Sequence, residues 1–129
     1  MKKESHAMWE AKVIKAEDVV FEDGIGQDPV TARYGRIVRQ PLSGGLGFGI
    51  IECDGMAEDW FQNYDQILYI LEGSFRCIID GEVYEGMAGD TIFVPKDTQL
   101  RYETTGKARL LYIVYPEGNM RWRSLIGSD

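Results

Sequence analysis

Four side chains spaced two apart, Trp60, Gln62, Tyr64 and Gln66, are the part of this chain best placed to do chemistry, and that chemistry is neutral. Side chains alternate across a β-strand, so residues of one parity share a face. Leu68 and Ile70 continue the same parity, and Leu100 and Tyr102 lie on a second short strand pattern. Where the two patterns are neighbours, two amides and two phenols meet on aromatic walls. Such a set orients a small polar ligand by uncharged hydrogen bonds. Trp60, Gln62, Tyr64, Gln66, Leu100 and Tyr102 are therefore the candidate ligand-binding residues. The same side chains can instead fill a small barrel, with the amides paired to buried water. Either way the amides need partners, because each unsatisfied buried group costs roughly 1–3 kcal/mol.

Carboxylates near this group are Glu58, Asp59 and Asp65. Asp65 is the candidate acid/base, although its parity opposes that of Gln66 and aims it away from the shared face unless a bulge re-aims it. His6 is the only histidine and precedes the strand-forming region, so a Ser-His-Asp or Cys-His mechanism has little to draw on. The glycine-rich stretch 44–49 leads into an apolar strand pattern, not a helix, and lacks a following Lys-Ser/Thr. It reads as a rim loop and not as a phosphate cradle. Cys53 and Cys77 sit inside strand patterns without Cys-x-x-Cys spacing, the signature of two buried free thiols in a reducing compartment.

The elements that must position these residues are short. Strand patterns cover 49–53, 67–71, 75–79, 82–84, 91–94, 100–104 and 109–115. Asp80-Gly81 between two of them is the chemistry of a tight hairpin turn. Weaker segments occur at 13–14, 19–21 and 36–40, with a Gly/Asp/Pro loop over 23–29. Short strands every 8–12 residues or so, with turn residues between them, indicate a sandwich or barrel. The expected fold is all-β, a double-sheet jelly roll with room for one short terminal helix. A flexible arm is expected over 1–12 and a single domain over 13–129.

The 129 residues fit one domain, and 44% apolar residues suffice for a core. A net charge of −7 argues against a nucleic-acid binder. The longest apolar run, 110–115, falls far short of the roughly 20 residues that span a bilayer as a helix, so no membrane partner is expected. The N-terminus has no apolar signal core, which makes the cytoplasm the default location. Ile67, Tyr69 and Leu71 give one strand a second apolar face, and a strand apolar on both sides is buried on both sides. A homodimer is the expected state.

Two stretches resemble the two halves of a cupin barrel. The first runs from Asp54-Gly55 through Gln62-Asn63-Tyr64-Asp65-Gln66 to Glu72-Gly73, and the second is Gly89-Asp90 with Phe93-Val94-Pro95-Lys96-Asp97. In metal-bearing cupins these motifs carry three histidines and a glutamate. Here those places fall on Trp60, Gln62, Gln66 and Leu100, none of which is a good ligand for a transition metal. No metal and no cofactor are expected. Trp60 to Ile67, with Leu71-Glu72-Gly73, Ala88-Gly89-Asp90, Leu111-Tyr112-Ile113 and Tyr115-Pro116, resembles more narrowly the cupin domain of the ethanolamine-utilisation EutQ family. That resemblance implies a metal-free dimeric cupin tied to ethanolamine catabolism and its bacterial microcompartment, binding a small polar metabolite or a microcompartment protein. It also implies an alternative, an acetate-kinase-like phosphotransferase working on acetyl phosphate and ADP; a metal-independent isomerase is a further one. The family reads Asn-Tyr-Asp-Glu where this chain has Gln66, which removes a base from that position. Fold alone does not decide between enzyme and binding module.

Overall fold

The computed structural model describes residues 11–25, 29–39 and 44–117. Ten strands lie among them: β1 Phe21–Ile25, β2 Ala32–Val38, β3 Gly47–Asp54, β4 Ala57–Gln62, β5 Asp65–Glu72, β6 Ser74–Ile79, β7 Glu82–Met87, β8 Thr91–Val94, β9 Thr98–Glu103 and β10 Lys107–Tyr115. They form a six-stranded sheet in the order β1-β2-β3-β10-β5-β8 and a four-stranded sheet in the order β4-β9-β6-β7. Every pairing is antiparallel. The two inner faces close on one core, which includes Tyr34, Met56, Leu68, Ile70, Phe75, Leu100, Leu110 and Tyr112. This is the expected jelly-roll barrel.

Local chemistry sets the turns. Asp80 (φ 51°) and Gly81 (φ 78°) take the two left-handed positions of the β6–β7 hairpin, as the Asp-Gly pair requires. Gly73 (φ 78°) turns β5 into β6, and a Cβ there would strike the Lys107 carbonyl oxygen.

Several expectations need correction. Residues 13–14 form no strand; a 3-10 turn at Ala16–Asp18 follows them, and Val13 and Val20 are exposed. Their apolar doublets lack the alternation that would give them a buried face. Pairing in β1 continues to Ile25, into the expected loop, by a shift of register after Asp23. The run from Trp60 to Gln66 is not one strand. The chain leaves β4 at Gln62, bends at Asn63-Tyr64 and enters β5 in the other sheet. Most of the expected arm, residues 1–10 including His6, lies outside the described residues, as do 118–129. The 3-10 turn is the only helical element among those described.

Candidate functional site

The inward parity read from the sequence passes through the bend intact. Gln62, Tyr64, Gln66, Leu68 and Ile70 are all buried, while Phe61, Asp65, Ile67 and Tyr69 are exposed. In β9, Leu100 and Tyr102 are buried opposite Trp60 and Glu58 of β4. Strand pairing therefore brings the candidate residues of both motifs to one interior.

Their roles differ. The Gln62 side-chain amide donates to the Tyr64 carbonyl (2.8 Å) and the Val94 carbonyl (2.8 Å), with a longer contact to the Pro95 carbonyl (3.3 Å). Both of its hydrogens are used on backbone. Gln62 is thus a clamp that holds the bend between the sheets to the end of β8, and it does not border the central space. The Tyr102 hydroxyl donates to Gln66 Oε1 (2.9 Å), with Gln62 Oε1 further off at 3.3 Å. The Trp60 indole N–H donates to the Tyr64 hydroxyl (2.9 Å). Leu100 fills the core beside Trp60. Asp65 faces solvent, where Oδ1 accepts the Lys96 backbone N–H (3.0 Å) and ties the turn after β8.

A small space remains between these groups, lined by Tyr34, Ile51, Met56, Trp60, Tyr64, Gln66, Leu68, Phe75 and Tyr102. Its volume is about 10 Å³, close to what one water molecule occupies. Burial pushes the Tyr64 phenol up to about 12, against the opposing pull of the Trp60 indole, and holds Tyr34 and Tyr102 well above the usual tyrosine range. Burial likewise raises the Cys53 and Cys77 thiols to about 12, which leaves neither a nucleophile near neutral pH. The interior is a set of neutral donors and acceptors.

The structure adds one residue to this site. Tyr34 enters from β2, where Gly35 and Arg36 obscure any alternation in the sequence. Glu58, opposite Tyr102 in the β4–β9 pairing, is half-buried between exposed Ala57 and Asp59 and does not border the space. The residues present do not fit the metal of metal-bearing cupins. Gln62 and Gln66 are engaged by protein groups, and no group of three or more His, Cys, Asp or Glu that could hold a metal occurs among the described residues.

The two facing antiparallel sheets and this interior define a cupin. An RmlC-like cupin from Shewanella frigidimarina superimposes with a TM-score of 0.69 at 22% identity, over 83% of this chain and 92% of that one. The family is narrower than the fold. The family model described as ethanolamine utilisation protein EutQ matches residues 5–124, and the chain belongs to that family. The structure of Clostridium difficile EutQ matches with a TM-score of 0.73 and 29% identity over 87% of this chain and 82% of that one. Among curated relatives, the protein named acetate kinase EutQ of Clostridioides difficile is 37% identical over 71 residues, covering 55% of this chain and 45% of the relative. Its namesake in Salmonella typhimurium is 29% identical over 114 residues, covering 88% of this chain and 48% of the relative. The chain spans about half the length of the curated relatives it matches.

Proposed function

We propose that this chain is a binding cupin of ethanolamine utilisation, which holds a small polar metabolite at the barrel mouth without a metal and works as a homodimer. The carrying observation is the neutral interior: the Trp60–Tyr64 and Tyr102–Gln66 hydrogen bonds border a space with polar and aromatic groups and no cation on its walls. That space takes one water-sized group, so a small molecule would lie at the mouth beside half-buried Trp60 and reach inward with one small polar group. A thermal-shift screen of small polar metabolites tests this reading, since a ligand selective for the folded state raises its stability by mass action. No stabilising ligand, together with turnover of an acyl phosphate, would replace it.

The names of the relatives support a second reading, an acetate-kinase-type phosphotransferase. Phosphoryl transfer relies on cations that clamp the transferring group. In this chain a cleft of about 300 Å³ at one end of the six-stranded sheet opposes Arg33, Lys107 and Arg109 with Glu52, Asp54 and Glu72. That balance favours neither phosphate nor nucleotide. ATP formation from ADP and acetyl phosphate, lost on changing Tyr64 or Asp65, would favour this reading.

The dimer rests on the outer face of the six-stranded sheet. Register aligns Phe48, Ile113, Ile67 and Phe93 in one row across β3, β10, β5 and β8, and Ile50, Leu111 and Tyr69 in the next. Arg33, Glu52, Arg109 and Glu72 form an alternating charged row at the end of this patch. An apolar centre with a charged rim is the anatomy of an interface. The outer face of the smaller sheet instead carries the Arg76–Glu103–Arg101–Asp59 ion-pair chain, as a solvated face does. Placement in a bacterial microcompartment, or contact with its proteins, belongs to this proposal through the family alone; no helix among the described residues is long and apolar enough to cross a membrane.

A further inference from the structure

The cleft of about 300 Å³ at one end of the six-stranded sheet is separate from the barrel interior, and its charges are laid out by register. Ala32, Cys53 and Ala108 stand side by side in β2, β3 and β10, all buried, and these small residues lie among the longer side chains of its lining. β10 contributes the cations Lys107 and Arg109, two residues apart and so on one face of the strand. The flanking strands set carboxylates directly across from them. Asp54 is opposite Lys107 and Glu52 opposite Arg109 in β3, and Glu72 is opposite Arg109 in β5. With Arg33 the cations equal the carboxylates, so the cleft is balanced although the chain carries a net charge of −7.

These charges are only partly spent on one another. Glu52 is shared, at 3.7 Å from Arg33 and 3.4 Å from Arg109, both long for a hydrogen bond. Opposite charges facing one another across a strand pair attract, yet among the described residues Lys107, Asp54 and Glu72 take part in no ion pair. A solvated row of charges needs no concavity; here an unpaired ammonium and two unpaired carboxylates line one.

We propose that this cleft is a site for a small zwitterion, an α-amino acid, with its carboxylate between Lys107 and Arg109 and its ammonium against Asp54. The inference goes beyond the reading of the barrel mouth and does not depend on it. Balanced charge disfavours simple ions of either sign. An anion drawn to β10 meets the carboxylates of β3 and β5, and a cation drawn to those meets Lys107 and Arg109. A zwitterion satisfies both at once. The two heads of an α-amino acid sit on one carbon, which suits the step of about 5 Å between neighbouring strands. Arg109 has donors to spare, since a guanidinium offers several and its one partner is loosely held. Val30, Ala32, Cys53 and Ala108 give the lining an apolar side for a short aliphatic group. The cleft lies at the rim of the face offered to a second copy, and interface rims stay accessible to solvent.

The backbone amide resonances of Ala32, Cys53 and Ala108 report on the cleft, and the Trp60 indole N–H resonance reports on the mouth. L-Alanine is titrated to roughly 100 mM, a range in which a millimolar ligand saturates. Propionate and ethylammonium, which are alanine without its ammonium and without its carboxylate, are titrated alongside at matched ionic strength. The proposal expects a saturable shift of the cleft amides with alanine and none with either half. Asp54→Asn and Lys107→Gln, at exposed and unpaired positions where folding is undisturbed, should each weaken alanine at least about threefold, the loss of one exposed ion pair. Saturation by propionate or ethylammonium with alanine's affinity would overturn the proposal, as would equal titration of both variants. No saturable shift of the cleft amides would also overturn it and leave the row a solvated face. A shift confined to the Trp60 indole would count against the cleft while supporting the mouth as a ligand site.

Discussion

Replacing Gln62 by Leu separates a clamp from a ligand contact. The substitution keeps side-chain volume nearly constant and deletes the amide that joins two carbonyls, Tyr64 beside it in sequence and Val94 across the barrel, each at 2.8 Å. Gln62 is fully buried, so neither carbonyl gains water when the amide is lost. Each abandoned acceptor costs roughly 1–3 kcal/mol, and the apolar replacement recovers part of that through burial, so Gln62→Leu should lose about 2–4 kcal/mol. Tyr102→Phe removes a single hydroxyl from Gln66 and should lose about 1–2 kcal/mol. Urea unfolding followed by tryptophan fluorescence checks both, with unchanged m-values showing that stability alone has moved. Because Gln62 does not border the space, ligand affinity measured on the folded variant should be unchanged. A loss below about 1 kcal/mol for Gln62→Leu, no larger than that for Tyr102→Phe, would refute the clamp, since the abandoned carbonyls must cost more than one hydroxyl.

Three further outcomes follow from burial and register. Burial holds the phenols of Tyr34, Tyr64, Tyr102 and Tyr112 above the ordinary tyrosine value of 10.0. Their protonated forms are thus favoured by folding; the associated stability is whole below pH 10 and is lost as pH climbs toward the folded values. Alkaline titration should show stability falling by about 1.4 kcal/mol per pH unit for each phenol that ionises on unfolding, with phenolate absorbance appearing together with loss of structure. Cys53 and Cys77, buried and raised to about 12, should resist a thiol reagent in native buffer and label stoichiometrically in denaturant; rapid native labelling would contradict their placement. Ile67→Lys, on a side chain 39% exposed at the centre of the apolar rows, should give a folded monomer by light scattering where the parent gives a dimer. A parent of monomer mass at micromolar concentration would count against that interface.

What could be read from the sequence here was direction, and what could not was closure. A period of two fixes which way a side chain points and survives a change of sheet, so Gln62, Tyr64, Gln66 and Tyr102 were placed inward correctly although the strand containing the first three breaks at Asn63. The Asp80-Gly81 hairpin was legible for the same reason, since its chemistry is local. The break itself depends on Gln62 reaching Val94, thirty-two residues away, and no local pattern encodes such a bond. The size of the interior is less local still, because Tyr34, Met56 and Phe75 arrive from three other parts of the chain to reduce it to about 10 Å³. A count of polar residues on one face therefore suggested an open pocket, whereas the amides proved to be engaged by the protein. Gln62 is occupied by backbone and Gln66 by Tyr102.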